Sequence, residues 1–385
     1  MRICLVSASF YPAIFYGGPI SATWDLSRKI GEKQVEVYVS TTNANGNEKL
    51  KNVNTKKHIQ IAKNVFVRYY NEQLINLFSF SFMCNIYSDI KKSDVMYIQY
   101  LFHYTVIFSL FFSWVLNKEV VLCPRGSFSD YTHKSNGLLK RIWIRLFVKP
   151  FVSKIKWQAS SYLEKNDILK YFPSSDVSII SDGIDFDSFQ DSEKIDLEIL
   201  VKKYTNFDFE NVSDVIFSMG RLHEIKRFDI LIDAFNLYHT ENKNAKLLIA
   251  GADYGVKDKL LDQIDKLGLN ESIFLIGLVD FKQKKELLSN SSVFALSSEF
   301  ESFGIVVAEA LACGLPIVVS DKTAWKDINK NNCGIFAENR KEDFFKALNQ
   351  IKKQDFTASN SKNFVKENYD WDIVSEKFLN LITKK

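Results

Sequence analysis

The sequence lacks long apolar runs: no window of about 18 residues is wholly apolar, and the greasiest stretch, Val106 to Leu116, is about a third to a half too short for a bilayer crossing. No transmembrane helix is expected. The opening MRICLVSASF has only four apolar residues in a row after Arg2 and no small-residue cleavage signal, so no secretory leader is expected either. Cysteine is scarce, and Cys4, Cys84, Cys123, Cys313 and Cys333 show no C-x-x-C spacing, which argues against a disulfide framework and against a zinc site. These absences point to the cytoplasm. Internal repeats are also missing.

What is present is an ordinary globular composition, 46% hydrophobic and 25% charged, in 385 residues. Single hydrophobic cores stop growing at about 250–300 residues, so two domains are expected. The net charge of +4 conceals an asymmetry: residues 1–190 hold 23 Lys+Arg against 15 Asp+Glu, a surplus of +8, and the remainder is −4. A basic N-terminal half can meet anionic lipid. No nucleic-acid partner is expected.

Short aliphatic runs alternate with helix-length amphipathic stretches, the pattern of parallel strands joined by crossover helices. In the first half the strands expected are 3–7, 35–40, 65–68, 95–99, 120–123, 156–159 and 177–180; in the second they are 215–219, 245–250, 272–276, 293–297 and 316–320. The Asp-, Ser- and Lys-rich stretch 182–210 has no strand-like run before Val212 and holds the boundary, giving domains 1–185 and 186–385. A final helix at about 371–383 has an apolar face for either domain, and the sequence leaves that choice open.

Three segments could carry chemistry. Gly17-Gly18-Pro19 follows the first strand and precedes a helix; glycines there let backbone N–H groups approach an anion at the helix's positive end. The second domain opens with the strand DVIFSM, then Gly220-Arg221-Leu222, then Lys226-Arg227 at a helix start. Ligands of open α/β sheets bind at the carboxyl ends of strands, and a guanidinium with an ammonium there suits a diphosphate. The segment SSVFALSSEFESFGIVVAEALACGLPIVVS, 291–320, reads as strand, loop, helix and strand, with Ser302 the expected N-cap and Gly314-x-Pro316 the stop. Glu301 then stands just before the helix and Glu309 about two turns inside it, where carboxylates can accept bonds from sugar hydroxyls, beside the N–H groups of Phe303 and Gly304.

GRLHEIKRFDILIDAF and ESFGIVVAEALACGLPIV closely resemble the two signatures of family 4 glycosyltransferases, retaining enzymes of the GT-B fold. SDGID, Ser181 to Asp185, is similar to the family's N-G-I-D turn with Asp182 in place of Asn, and Gly17-Gly18 to its N-terminal glycine loop. The resemblance implies two Rossmann-like doubly wound domains facing across a cleft, the first for the acceptor and the second for a nucleotide-sugar donor, a UDP-sugar being favoured. It implies that Arg221 and Lys226 hold the donor diphosphate, Glu309 the ribose hydroxyls and Glu301 the donor sugar, with the Phe303 and Gly304 amides beside it. Arg221, Lys226 and Glu301 are then the catalytic set. No metal and no cofactor are expected, since the two cations stabilise the departing diphosphate and no Asp-x-Asp triplet is expected at a strand end. A nucleotide-sugar epimerase of similar fold and a non-catalytic nucleotide-sugar-binding protein are the alternatives.

The family often has histidines after the fourth and fifth strands, where this chain has Tyr97 and Gln99 in YIQY and Arg125 in CPRGSF, which makes Arg125 the acceptor-side candidate. His103 nearby reads as packed rather than catalytic. CPRGSF-like segments in bacterial members imply surface polysaccharide or lipopolysaccharide assembly. LLKRIWIRLFVKP, Leu138 to Pro150, reads as a basic amphipathic helix with Lys140, Arg141, Arg145 and Lys149 among Ile142, Trp143, Leu146 and Phe147, suited to peripheral contact with an anionic membrane and a lipid-linked saccharide acceptor. Residues 101–116 are apolar nearly all round and read as a buried helix covering the first sheet.

Overall fold

The computed structural model describes residues 1–13, 15, 17–46, 48–73, 78–133 and 137–383. The chain divides into two compact units, Met1–Gly183 together with the segment from Trp371 onward, and Ile184–Asp370.

The first unit is built on an eight-stranded sheet. Its strands are β1 (Arg2–Val6), β2 (Glu36–Thr42), β5 (Ile59–Ala62), β6 (Val65–Tyr70), β7 (Val95–Gln99), β8 (Glu119–Cys123), β9 (Ile155–Ala159) and β10 (Val177–Ile179), in the order β10-β9-β8-β7-β1-β2-β6-β5. A hairpin of β3 (Ala44–Asn45) and β4 (Glu48–Lys49) lies outside it. All neighbours are parallel except β5, which runs antiparallel to β6 at one edge. The central strands are apolar and buried on both faces, as in VMYIQ of β7, because helices cover both sides. These are α1 (Gly18–Glu32), α2 (Phe80–Lys91), α3 (Tyr104–Val115), α4 (Asp130–His133), α5 (Gly137–Trp143) and α6 (Tyr162–Tyr171). Ile98, Leu122, Phe128 and Trp157 pack on one face, and Leu5, Tyr97 and Val121 on the other.

The last helix, Trp371–Thr383, belongs to this second layer. Trp371, Val374 and Phe378 are buried there, Phe378 lies 4.6 Å from the Tyr97 ring, and Lys29 and Lys33 of α1 pair with Asp372 and Glu376 at 3.1 Å each. A Cβ at Gly183 would sit 2.6 Å from the Trp371 ring, so the glycine of SDGID is selected by close packing where the chain leaves the unit.

The second unit has six parallel strands, β11 (Asp214–Met219), β12 (Ala245–Ala250), β13 (Ile273–Gly277), β14 (Val293–Leu296), β15 (Ile317–Ser320) and β16 (Gly334–Ala337), in the order β13-β12-β11-β14-β15-β16. Around them lie α7 (Leu197–Thr205), α8 (Phe228–Glu241), α9 (Lys257–Lys266), α10 (Phe281–Asn290), α11 (Ile305–Ala312), α12 (Lys341–Ile351) and α13 (Ala358–Tyr369); the last helix of the chain is then α14. The strandless stretch 182–210 is no loose linker. Phe186, Phe189, Leu200 and Val201 are buried in the same core as Val307 and Leu311 of α11.

Two expectations about helices are corrected. Residues 138–150 do not form one helix: α5 passes into a π-turn at Ile144–Val148 and a 3-10 turn at Lys149–Lys154. Its buried residues are Ile144 and Val148, leaving Leu138 and Leu146 73% and 57% exposed. Nor is α3 buried all round, since Phe111, Trp114 and Val115 are exposed. No described helix is long and apolar enough to cross a membrane.

Candidate functional site

In the second sheet the chain leaves β11 toward β12 on one side and β14 lies on the other, so the loops after β11 and β14 diverge at the sheet's switch point. Such a divergence opens a crevice at the carboxyl ends of the strands. Both signature segments meet there. After β11 come Gly220, Arg221 and a 3-10 turn, Glu224–Lys226, whose N-cap His223 accepts the Ile225 N–H through Nδ1 at 3.2 Å. Gly251, at the end of β12, passes so close that a Cβ would overlap the Gly220 carbonyl oxygen, which fixes the path of the Arg221 turn.

The loop after β14 is stitched to this turn. Ser297 Oγ donates to the Lys226 and Arg227 carbonyls at 3.0 and 2.7 Å, and Glu299 N–H to the Ile225 carbonyl at 2.8 Å. The result is an ion pair between Lys226 Nζ and Glu301 Oε1, with Ser298 Oγ donating to the same oxygen at 2.8 Å. Both side chains are largely buried, 13% and 14% exposed. Arg221 is exposed on the same turn, its guanidinium 5.2 Å from the Tyr254 ring centroid. Arg227 is occupied by Asp229 at 2.9 Å and Glu299 at 3.8 Å, and the hydrogen bonds it donates to Asp229 raise its pKa.

Ser302 is not the N-cap of α11. The helix begins at Ile305 behind Gly304, which has φ 83° and ψ 65°, a left-handed conformation that favours glycine. Glu309 is therefore little more than one turn inside the helix. Phe303 is buried against Trp325 and Tyr369, with ring centroids 5.1 and 5.3 Å away, and its carbonyl accepts Trp325 Nε1–H at 2.6 Å. Neither the Phe303 nor the Gly304 N–H donates a hydrogen bond among the described residues. Glu309 is paired with a cation that the sequence did not single out, Lys284 of α10, at 2.5 Å. A partner 25 positions away in a lysine-rich helix gives no sequence signal.

In the first unit, Gly17 has φ 80° and caps α1, which starts at Gly18; a Cβ at Gly17 would meet nothing within 4 Å, so conformation rather than crowding selects glycine. This loop follows β1, where that sheet's order reverses between β1 and β7. Arg125 does not stand free for an acceptor. Its side chain is 3% exposed, pairs with Asp182, donates from Nε to Gln99 Oε1 at 2.7 Å and from Nη2 to Thr23 Oγ1 at 3.5 Å. Burial opposes its charge, but the Asp182 carboxylate, with Cys123 and Tyr97 nearby, holds its pKa above the ordinary value. Glu164 braces the turn, accepting the Gly126 N–H and, at 2.7 Å each, the Ser160 N–H and Oγ–H. Burial pushes the Glu164 carboxyl up, against the pull of those bonds. His103 caps α3, accepting the Thr105 N–H at 3.4 Å. Among the described residues no three His, Cys, Asp or Glu side chains are placed to hold a metal ion.

The sequence pattern of the family described as Glycosyl transferases group 1 matches residues 206–371. An uncharacterized glycosyltransferase of Methanocaldococcus jannaschii is 28% identical over 229 residues, 56% of this chain and 57% of that protein. A Campylobacter jejuni enzyme, N-acetylgalactosamine-N,N'-diacetylbacillosaminyl-diphospho-undecaprenol 4-alpha-N-acetylgalactosaminyltransferase, is 26% identical over 217 residues, 54% of this chain and 58% of that one. The chain thus spans a little over half the length of each of these relatives. Among solved structures, Anabaena HepE in complex with UDP covers both chains in full with a TM-score of 0.76 at 17% identity, a likeness that carries the fold. Residues 206–371 therefore carry a sequence pattern that matches Glycosyl transferases group 1, in a chain with the GT-B fold of two Rossmann-like α/β units.

Proposed function

We propose that the protein is a family 4 glycosyltransferase that moves a hexosyl group from a nucleotide sugar, a UDP-sugar in preference, to an acceptor hydroxyl with retention. The observation that carries this is the Lys226–Glu301 pair beside Arg221 at the switch point of the second sheet. The second unit then takes the donor and the first receives the acceptor, the Gly17-Gly18 loop of the first being a further donor-binding candidate. Arg221, as a planar fork, and Lys226, as a point charge, hold the diphosphate and stabilise the negative charge that gathers on it as the sugar leaves. Lys226 exchanges part of its contact with Glu301 for phosphate oxygen, which frees Glu301 for the donor sugar beside the unused Phe303 and Gly304 N–H groups. Glu309 accepts the ribose hydroxyls. The two cations do this work without a metal or cofactor.

A saccharide or lipid-linked saccharide of bacterial surface polysaccharide or lipopolysaccharide assembly is the proposed acceptor class, supported by the undecaprenol-linked substrate in the name of the Campylobacter relative. Exposed Leu138, Leu139, Ile142 and Leu146, interleaved with exposed Arg141, Arg145 and Lys149, support peripheral contact with an anionic membrane on the cytoplasmic side. Lys140 turns inward to the Thr132 carbonyl and is no part of that face. The test is nucleotide release from a panel of nucleotide sugars, with and without lipid-linked acceptors. Acceptor-dependent release is expected. Donor interconversion without release would favour an epimerase, and binding without turnover a non-catalytic role.

A further inference from the structure

Glu309 is 8% exposed, on a helix whose other inward side chains are apolar. A carboxylate taken that far from water needs a compensating partner. Lys284 supplies it, its Nζ 2.5 Å from Glu309 Oε1, while Oε2 has no hydrogen-bond partner among the described residues. The ammonium is itself held in a prepared place. It lies 5.5 Å from the ring centroids of both Phe189 and Phe281, which meet each other edge to face at 5.3 Å, so two aromatic faces flank it. Its helix is fixed at the root by a reciprocal cap: Asp280 accepts the Gln283 N–H at 2.8 Å and Gln283 Oε1 accepts the Asp280 N–H at 2.9 Å. Lys284 is the first residue after that cap. Lys282 and Lys285 stand on the same helix, yet Lys284 alone pairs with Glu309.

We infer that Lys284 is a positioning residue for the donor nucleoside: by taking one oxygen of Glu309 it orients the other toward the ribose 2′- and 3′-hydroxyls, with Phe189 and Phe281 as its clamp. This rests on the assignment of Glu309 to the ribose. A hydroxyl donating to an ionised carboxylate is a charge-assisted bond, and its strength depends on where the second oxygen points. The ammonium uses one of its three N–H donors on Oε1, and its effect on the ribose is taken to pass through Glu309.

The experiment compares binding of UDP and 2′,3′-dideoxy-UDP to the full chain by calorimetry, with GDP and its dideoxy form in parallel. Wild type should prefer the ribonucleotide by about tenfold or more, the worth of a hydrogen bond to a charged group. Lys284→Met keeps the stem, and in it this preference should collapse while affinity for the dideoxy nucleotide changes less than about twofold; Lys284→Arg should restore the preference. In turnover, Lys284→Met should raise the donor KM and leave kcat close to wild type. A merely structural role would weaken both nucleotides alike and lower thermal stability without changing their ratio, and that result overturns the inference. So does a Lys284→Met variant that keeps the ribose preference. Glu309→Gln separates the two layers: if it keeps full ribose preference, the assignment of Glu309 itself is wrong; if it loses the preference and Lys284→Met does not, the role of Lys284 alone is wrong.

Discussion

The pair Arg125–Asp182 gives the sharpest stability prediction. The guanidinium is 3% exposed and the carboxylate 14%, so each charge depends on the other. Arg125→Met leaves Asp182 without its cation, and Asp182→Asn takes away the paired carboxylate, leaving the guanidinium the neutral acceptors of the new amide, Gln99 and Thr23. Removing one member of a buried ion pair costs about 3–5 kcal/mol. For a unit of this size, about 3 kcal/mol lowers Tm by about 6–12 °C. The double substitution removes both charges together and should cost less than the two single losses added, by about 2–3 kcal/mol. Urea unfolding followed by hydrogen exchange of the β7 to β9 amides reads the first unit separately from the second. Single losses below about 1 kcal/mol, or losses that simply add, would refute the claim that the pair works as one buried element.

Arg221→Lys and Lys226→Ala should each lower kcat by about 100- to 1,000-fold with normal folding, the usual cost of losing a preorganised charge; wild-type turnover in both would move the diphosphate elsewhere. Burial holds the His103 imidazole down to about 4, below the 6.5 of the free side chain. The unfolded chain then takes the proton first, so stability is complete above about pH 6.5 and falls by at most about 3 kcal/mol as pH drops to about 4. His103→Asn, which keeps a capping acceptor, should flatten that slope in urea titrations across this range. Changing Arg141, Arg145 and Lys149 together to Gln should weaken binding to anionic vesicles by about 100-fold, at about 1 kcal/mol per cation, and equal flotation of variant and wild type would dispose of the membrane face.

Much of the fold was legible because parallel strands announce themselves as buried aliphatic runs; AKLLIA of β12 spans the residues its sequence indicates. Apart from the short β3–β4 hairpin, the strands that were not legible are edge pieces. IQIA of β5 is short and half exposed, and GIFA of β16 begins with a glycine whose Cβ would overlap the Ile317 carbonyl oxygen of its neighbour. The loop and helix-start positions of the candidate site residues were legible because that chemistry is local, as at Gly17 or Glu301. Their partners were not, because Lys226 meets Glu301 across 75 positions and Arg125 meets Asp182 across 57. That last contact joins two departures from the family pattern, the Asp in SDGID and the Arg in CPRGSF, into one interaction. Ser302 misled because a left-handed glycine can open a helix without a side-chain cap.

The placement of α14 bears on the order in which the protein can be completed. Its Trp371, Val374 and Phe378 pack with Tyr97 and Ile180, residues made before the second unit begins. During synthesis the first unit must therefore wait, one face of its sheet covered by α1 but not by α14, until every residue of the second has been joined. The half that emerges first is finished last. A chain cut at Asp370 would keep the whole of the second unit and expose the apolar flank of the first, so a lesion in α14 should be felt most by the earliest residues.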